Sequence, residues 1–235
     1  DPARPGLRVG GEFLALDVAF PILHGTFGED GTIQGLFECA GLAYTGAGVA
    51  ASAVGMDKEL MKAVFAAAGL PQAEYLVLRD DRRTGAEGVT AVERRLDYPV
   101  FVKPCNLGSS VGMTKAHDRG ELGPALELAA CYDRKVIVEA AIEGRELECS
   151  VLGNETPRAS VPGEVVPANE FYDYEAKYTD GMMAFTIPAV LDPATTEEVR
   201  SLAVRAFAAR LRTSSVVAGS RTAGIVNAII PSVYF

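Results

Sequence analysis

A lysine that ends a strand-like segment, with a glycine- and serine-rich turn soon after it, constrains this chain of 235 residues most. Residues 99–103 have the apolar pattern of a strand ending at Lys103, and Gly108-Ser109-Ser110-Val111-Gly112 follows. An ammonium, two hydroxyls and unhindered backbone N–H groups suit an anionic phosphate. The pattern Gly-x-x-x-x-Gly-Lys-Ser/Thr of a Walker A loop is absent. A glycine-containing hairpin between two strands explains the segment equally well.

Composition and charge favour a globular protein that acts on a small molecule. The chain is 49% hydrophobic and 23% charged, which is enough to form a core. Its net charge of -9 comes from scattered residues, so we expect no nucleic-acid partner and no anionic membrane surface. No apolar run reaches the roughly 20 residues of a membrane span, and no signal-peptide pattern opens the chain, which predicts a cytoplasmic protein. We expect the four cysteines, which form no CxxC pair, to be reduced and mostly buried.

Strands, glycine-rich loops and helices alternate along the chain, which indicates an α/β protein. Residues 14–23 predict a buried strand, the loop 24–31 follows, and a helix then ends at Gly41. The remaining pattern predicts helices at 57–68, 89–96, 118–132 and from Asp192-Pro193 onward, strands at 75–78, 99–103, 136–139 and 146–152, a hairpin or tight corner at 143–145, and a long functional loop at 162–180.

Several polar residues are candidates for binding, and each has a simpler explanation. Residues 169–178 carry four aromatic and four charged side chains, so a loop that closes over a charged ligand and a solvated surface loop are both open. Glu139 and Glu146 suit a ribose or a lysine, but strand ends often carry charge. Lys58 fits a helix surface equally well, and a loop histidine such as His24 is often structural.

Five segments, taken in their order and spacing, resemble the D-alanine–D-alanine ligase family. They cover about residues 15–209 and read HGTFGEDGTIQG from His24, YTGAGVAASAVGMDK from Tyr44, FVKPCNLGSSVGM from Phe101, VIVEAAIEGRELECSVL from Val136 and EFYDYEAKY from Glu170. The resemblance implies an α/β ATP-grasp fold with a partial, Rossmann-like N-terminal lobe. It divides the chain into the rest of an N-terminal substrate lobe at 1–46, a central lobe at 47–139 and an incomplete C-terminal lobe at 140–235.

The resemblance also implies an activity. In this family ATP phosphorylates the carboxylate of one D-alanine, and the amine of a second attacks the acyl phosphate to give D-alanyl-D-alanine for peptidoglycan precursors. Such chemistry requires phosphate neutralisation and exclusion of water. A ligase that uses D-lactate or D-serine as acceptor, and a non-catalytic ATP-binding protein, are the alternatives. A homodimer is the family's usual assembly.

By the same match, individual residues acquire expected roles. The nucleotide-binding residues are Lys58 and Lys103 on the phosphates, Ser109 and Ser110 in the covering loop, Lys177 on the γ-phosphate, Glu139 with Ala140, Ala141, Ile142 and Phe171 around the adenine, and Glu146 on the ribose. Ser109 and Tyr178 match two members of a catalytic hydrogen-bonded triad. His24 and Glu29 match the loop around the second D-alanine. Tyr178 favours D-alanine as acceptor, because ligases that make D-Ala-D-lactate lack it.

The chain departs from the family near both ends. The family begins with a strand and a glutamate that binds the first substrate, and it continues after Ala209 with Asp-Phe-Phe and with the Glu and Asn that bind magnesium. Here no carboxylate follows Glu198, so we identify no metal ligand, and only Asn227 weakly matches that asparagine. GCG GAC TTC TTC encodes Ala-Asp-Phe-Phe and its next frame encodes Arg-Thr-Ser-Ser, the sequence at 212–215. We therefore expect a frame error, which resequencing the DNA tests.

Overall fold

The computed structural model describes residues 5–79, 84–167, 183–212 and 233–234. The helices are α1 Thr32–Ala40, α2 Val49–Met56, α3 Lys58–Ala67, α4 Gly85–Glu93, α5 Arg119–Tyr132 and α6 Pro193–Arg212. The strands are β1 Gly6–Val9, β2 Glu12–Ala15, β3 Val18–Ala19, β4 Ala43–Tyr44, β5 Tyr75–Arg79, β6 Val100–Pro104, β7 Thr114–Ala116, β8 Lys135–Ala140, β9 Glu146–Glu148, β10 Val151–Leu152, β11 Arg158–Ala159, β12 Gly163–Pro167, β13 Met183–Thr186 and β14 Val233–Tyr234. These elements fall into two compact units.

The larger unit contains the described residues of 56–148, 163–190 and 233–234. Its main sheet has the strand order β5-β8-β6-β7, with every neighbouring pair antiparallel. One face of this sheet packs on α4 and α5, where Val102, Val138 and Leu126 are completely buried. Because side chains alternate along a strand, the residues next to Val102 on β6 and next to Val138 on β8 point to the opposite face.

The opposite face, called the polar face below, carries charged and aromatic side chains around the buried Ile137. The strand register places Tyr75, Glu139, Phe101 and Lys115 in one row across the four strands. Lys103 lies on the same face as Phe101, two residues further along β6. Helix α3 contacts this face through the ion pair of Lys62 with Glu139, and its N-cap residue Asp57 pairs with Lys135.

A second sheet of the same unit has the strand order β13-β12-β9-β14 and is also antiparallel. The strands β8 and β9 belong to different sheets, so residues 143–145 form a corner and not a hairpin. Arg145 in this corner donates from Nε and Nη2 to the two carboxylate oxygens of Glu164, at 2.7 and 2.6 Å. This bidentate pair connects the corner to β12.

The other unit contains the described residues of 5–55, 149–162 and 191–212. It comprises the hairpin β1-β2, the parallel pair β3-β4, the helices α1 and α2, and α6 packed on the β10-β11 hairpin. The buried face of α6 carries five apolar residues at helical spacing: Val199, Leu202, Ala203, Ala206 and Phe207.

The helix starts predicted near Asp57, Asp118 and Asp192 are confirmed, and so is the N-cap expected at Asp192. Asp57, Asp118 and Asp192 each accept hydrogen bonds from backbone N–H groups two and three positions ahead, as N-cap residues do. Gly41 ends α1 in a left-handed conformation with φ of 65°, as a C-terminal glycine does. The helix expected at 89–96 lies a few residues earlier, at 85–93.

Four predictions need correction. The strand expected at 14–23 is divided, because Glu12–Ala15 pairs with Gly6–Val9 across a glycine turn while Val18–Ala19 pairs with β4; its apolar side chains are largely exposed. The strand expected at 146–152 is divided into β9 and β10. Residues 163–167, expected in a loop, form β12 because they pair with β9 and β13. The cysteines are all free, but only Cys105 and Cys149 are buried, while Cys39 and Cys131 are exposed.

Candidate functional site

A buried carboxylate shared by two lysines lies at the centre of the polar face. The side chain of Glu139 is 12% exposed, and its Oε1 lies 2.6 Å from Nζ of Lys62. Its Oε2 accepts a hydrogen bond from Lys103. The rings of Tyr75 and Phe101 flank the cluster, with their centroids 4.9 Å from Nζ of Lys62 and 5.2 Å from Nζ of Lys103, respectively. Both carboxylate oxygens are therefore ion-paired in a partly aromatic environment.

The charge on this carboxylate is strongly favoured. Burial alone would raise the pKa of Glu139, but the ammonium groups of Lys103 and Lys62 outweigh it and lower the pKa to about 2. The group is therefore ionised throughout the physiological range. A carboxylate in this state accepts hydrogen bonds and does not donate them.

Lys58 binds the backbone of the segment that leads into the glycine- and serine-rich loop. Its Nζ donates to the carbonyl oxygens of Pro104, Cys105 and Leu107, the first two at 3.1 and 3.4 Å. An ammonium has three N–H donors, so these carbonyls account for all of them. Burial first, and then repulsion by Lys103, lower the pKa of Lys58 to about 8. In this conformation Lys58 holds the start of the loop.

The loop itself joins the antiparallel strands β6 and β7, as the hairpin interpretation predicted. Ser109 and Ser110 both have left-handed backbone conformations, with φ of 52° and 58°, which non-glycine residues rarely adopt. Gly112 follows with φ of 68°, and a Cβ there would lie 2.6 Å from the ring of Tyr132. A hairpin loop can also bind phosphate, so this geometry does not decide between the two interpretations of the segment.

A second group of charges ties α3 to the sheet. Lys135 on β8 donates to the carboxylates of Asp57 and Glu59, the latter at 3.3 Å, and Arg79 on β5 also pairs with Glu59. Burial alone would lower the pKa of Lys135, but these two carboxylates outweigh it and raise the pKa. The helix that carries Lys58 and Lys62 is thus held at its first turn.

The segment expected to contact adenine directly follows Glu139. The N–H groups of Ala140 and Ala141 donate to the carbonyls of Glu74 and Pro99, at 2.9 and 3.1 Å. Ile142 is exposed, and its N–H makes no backbone hydrogen bond within the described residues. Glu146, the expected ribose partner, lies on β9 opposite Val165 in the second sheet of the same unit.

The residues expected at the second D-alanine belong to the other unit. His24 is exposed, and Glu29 accepts a hydrogen bond at 2.5 Å from the N–H of Gly25. Asp30 accepts from the N–H groups of Phe27 and Thr32, at 2.8 and 3.0 Å. Both carboxylates therefore shape their own loop, which is one function of acidic residues in tight turns.

The structure brings Lys103 and Glu139 together and places Lys58 under the adjoining loop. Phe171, Lys177, Tyr178 and Asn227 lie outside the described residues, so their expected roles stay predictions. Sequence reasoning missed Lys62, although it follows Lys58 by one helical turn, the spacing that places two side chains on one face.

Comparisons with known families agree with this architecture. The model of the D-ala D-ala ligase C-terminus matches residues 64–216, and that of the D-ala D-ala ligase N-terminus matches residues 5–47. The chain belongs to the D-Ala-D-Ala ligase family. The D-alanine–D-alanine ligase of Acetivibrio thermocellus is 57% identical over 196 residues, and that of Solibacter usitatus is 55% identical over 205. These alignments cover 83% and 87% of this chain, but 52% and 62% of the relatives, so the chain spans little more than half their length.

Solved structures of the family are also similar. The VanG D-Ala:D-Ser ligase from Enterococcus faecalis matches with a TM-score of 0.79 and 33% identity, covering 89% of this chain and 61% of that one. The D-alanine-D-alanine ligase from Coxiella burnetii matches with a TM-score of 0.72 and 34% identity, covering 88% and 57%. The expected α/β ATP-grasp fold is therefore confirmed.

The described part of the chain contains no cluster of three or more His, Cys, Asp or Glu side chains arranged to hold a metal. Nor does it include a helix long and apolar enough to cross a membrane.

Proposed function

We propose that this chain carries the nucleotide site of an ATP-dependent D-alanine–D-alanine ligase, which makes D-alanyl-D-alanine for peptidoglycan precursors. The observation that carries the proposal is the charged cluster of Glu139, Lys103 and Lys62 on the sheet of a chain belonging to this ligase family. A charged face beside an anchored hairpin loop suits a ligand that combines a polar ring with a polyphosphate.

Some residues on the polar face suit the polyphosphate of ATP, and others suit its adenine. Lys103 supplies a positive charge at the start of the hairpin loop, where Ser109 and Ser110 add hydroxyls for phosphate oxygens. Lys58 would contact phosphate only by exchanging one of its carbonyl partners. The ionised Glu139 can accept a hydrogen bond from the exocyclic amino group of adenine. The N–H of Ile142 can donate a hydrogen bond to a ring nitrogen of the same base.

The reaction needs the polyphosphate charge neutralised while a carboxylate oxygen of the first D-alanine attacks the γ-phosphorus and ADP leaves. The second amine then attacks the acyl carbon, loses a proton and expels phosphate. Lys103 and the loop hydroxyls lower the charge repulsion of the first step. The family implies magnesium, which when bound would offset part of the polyphosphate charge.

Two other candidates have a specific observation behind them. A D-serine acceptor is supported by the similarity to the Enterococcus faecalis ligase, whose substrates are D-Ala and D-Ser. A non-catalytic ATP-binding role is supported by the sequence at 212–215, Arg-Thr-Ser-Ser, which differs from the Asp-Phe-Phe segment of the family. Tyr178 in the matched loop favours D-alanine as acceptor.

We propose that the protein works in the cytoplasm, where ATP is available, and that it forms a homodimer as the family does.

One experiment separates these functions. The purified chain is incubated with ATP, Mg²⁺ and an equimolar mixture of D-alanine, D-serine and D-lactate, with L-alanine as the control, and mass spectrometry identifies the products while phosphate release is recorded. D-Ala-D-Ala as the main product supports the proposal, and D-Ala-D-Ser supports the second candidate. Binding of ATP by calorimetry without phosphate release supports the non-catalytic role. Absence of ATP binding refutes the nucleotide site itself.

A further inference from the structure

Lys62 is a buried lysine whose position no expected role explains. It is 6% exposed, lies one turn after Lys58 on α3, and holds Oε1 of Glu139 at 2.6 Å. Its ammonium also lies 4.9 Å from the ring centroid of Tyr75, over the face of the ring, as in a cation–π contact. A buried lysine is tolerated when it is paired, and Lys62 shares its partner with Lys103.

The shared carboxylate sets the charge of the cluster. Glu139 and Lys103 alone would form a neutral pair, in which the carboxylate cancels the charge that a polyphosphate needs. With Lys62 present, two ammonium groups face one carboxylate, and one positive charge remains in excess. Because the cluster is largely removed from water, this excess charge is screened less than a surface charge.

We infer that Lys62 is a positioning residue of the nucleotide site: it holds Glu139 by one oxygen and leaves the charge of Lys103 available to the polyphosphate. The inference rests on the proposed function, since it deepens the role of the same site. Lys62 acts through Glu139 and needs no contact with the nucleotide. If Lys62 served only to fix α3 to the sheet, its loss would weaken every ligand of the site equally.

Calorimetric binding of ATP, ADP, AMP and adenosine to Lys62→Met distinguishes these roles. Methionine keeps the length and apolar stem of the side chain but removes the charge. We expect the Kd for ATP to rise roughly tenfold, as fits the loss of the one excess positive charge from a partly buried cluster. The increase should shrink with each phosphate removed and stay within about twofold for adenosine. An equal loss for all four ligands overturns the inference.

Charge-balanced variants make the test independent of how well Lys62→Met folds. Glu139→Gln leaves two unopposed lysines, so the ratio of adenosine Kd to ATP Kd should rise above the wild-type ratio. The double variant Lys62→Met/Glu139→Gln leaves Lys103 alone and restores the single excess charge, so the ratio should return to within about threefold of wild type. A ratio that does not follow the charge of the cluster refutes the inference.

Two controls complete the design. Lys62→Arg keeps the charge and should keep the ATP preference. Arg119→Met removes an exposed positive charge at the start of α5, where Arg119 pairs with Glu93 of α4, and should leave all four affinities unchanged within about twofold. Failure of the wild-type chain to bind ATP refutes the proposed function, whereas ATP binding by wild type with an unchanged Lys62→Met profile refutes only the role of Lys62.

Discussion

The ion cluster makes the stability of the protein depend on pH through one carboxylate. The pKa of Glu139 is about 2 in the folded chain, against an ordinary value of 4.5 in the unfolded chain. A difference of this size corresponds to about 3 kcal/mol, since one pKa unit is about 1.4 kcal/mol. Because the folded pKa is the lower one, this stabilisation is fully present above pH 4.5 and is lost as the pH falls towards 2.

The substitution Glu139→Gln removes this titration and keeps the shape of the side chain. Urea unfolding is followed by circular dichroism, since the chain contains no tryptophan. We expect the difference in unfolding free energy between wild type and variant to shrink by about 2 kcal/mol from pH 6 to pH 3. Glu93→Gln, which breaks the pair with the exposed guanidinium of Arg119, is the control and should change the unfolding free energy at pH 6 by less than Glu139→Gln does. A constant difference for Glu139→Gln would refute the assigned cluster energetics.

Two further predictions concern the same unit and use the same unfolding assay. Leu126→Ala removes a completely buried side chain and should cost about 2–5 kcal/mol, whereas Leu128→Ala, at a position 44% exposed, should cost less than about 1 kcal/mol; equal costs would contradict the orientation of α5. Gly112→Ala places a Cβ against the ring of Tyr132 at a left-handed position and should cost about 1–2 kcal/mol, while Gly108→Ala meets no neighbour within 4 Å and should be nearly neutral. If both glycine variants are neutral, the hairpin loop is not built as described.

The elements that sequence reasoning predicted well are those with local chemical causes. Asp192 was expected as an N-cap and accepts hydrogen bonds from the N–H groups two and three residues ahead, so its capping role is visible in a few residues of sequence. The motif around Lys103 was also recognisable, because a lysine, two serines and a glycine-rich turn form a compact pattern. The helix α2 was missed because its residues are nearly all small or apolar, which leaves no polar stripe to show a period.

Other features depend on contacts between distant parts of the chain. The apolar segment 14–23 reads as one strand, but whether its halves pair with β1 or with β4 is decided by tertiary structure. The ion pair of Lys62 and Glu139 joins residues 77 positions apart, on a helix and on a strand. A single sequence predicts that each is charged and where each lies on its element, but the pairing exists only once α3 is placed on the sheet.

The two lysines of α3 explain why this helix matters to a site that consists mainly of strands and a loop. Lys58 holds the loop through backbone carbonyls, and Lys62 holds the carboxylate on β8. One rigid helix thus supports both the phosphate side and the adenine side of the proposed site, and Lys135 fixes its first turn to the sheet. Because the two contacts share one helix, a change that displaces α3 must alter the loop and the carboxylate together. Loss of Lys62 alone, in contrast, changes the charge and leaves the anchor of the loop in place.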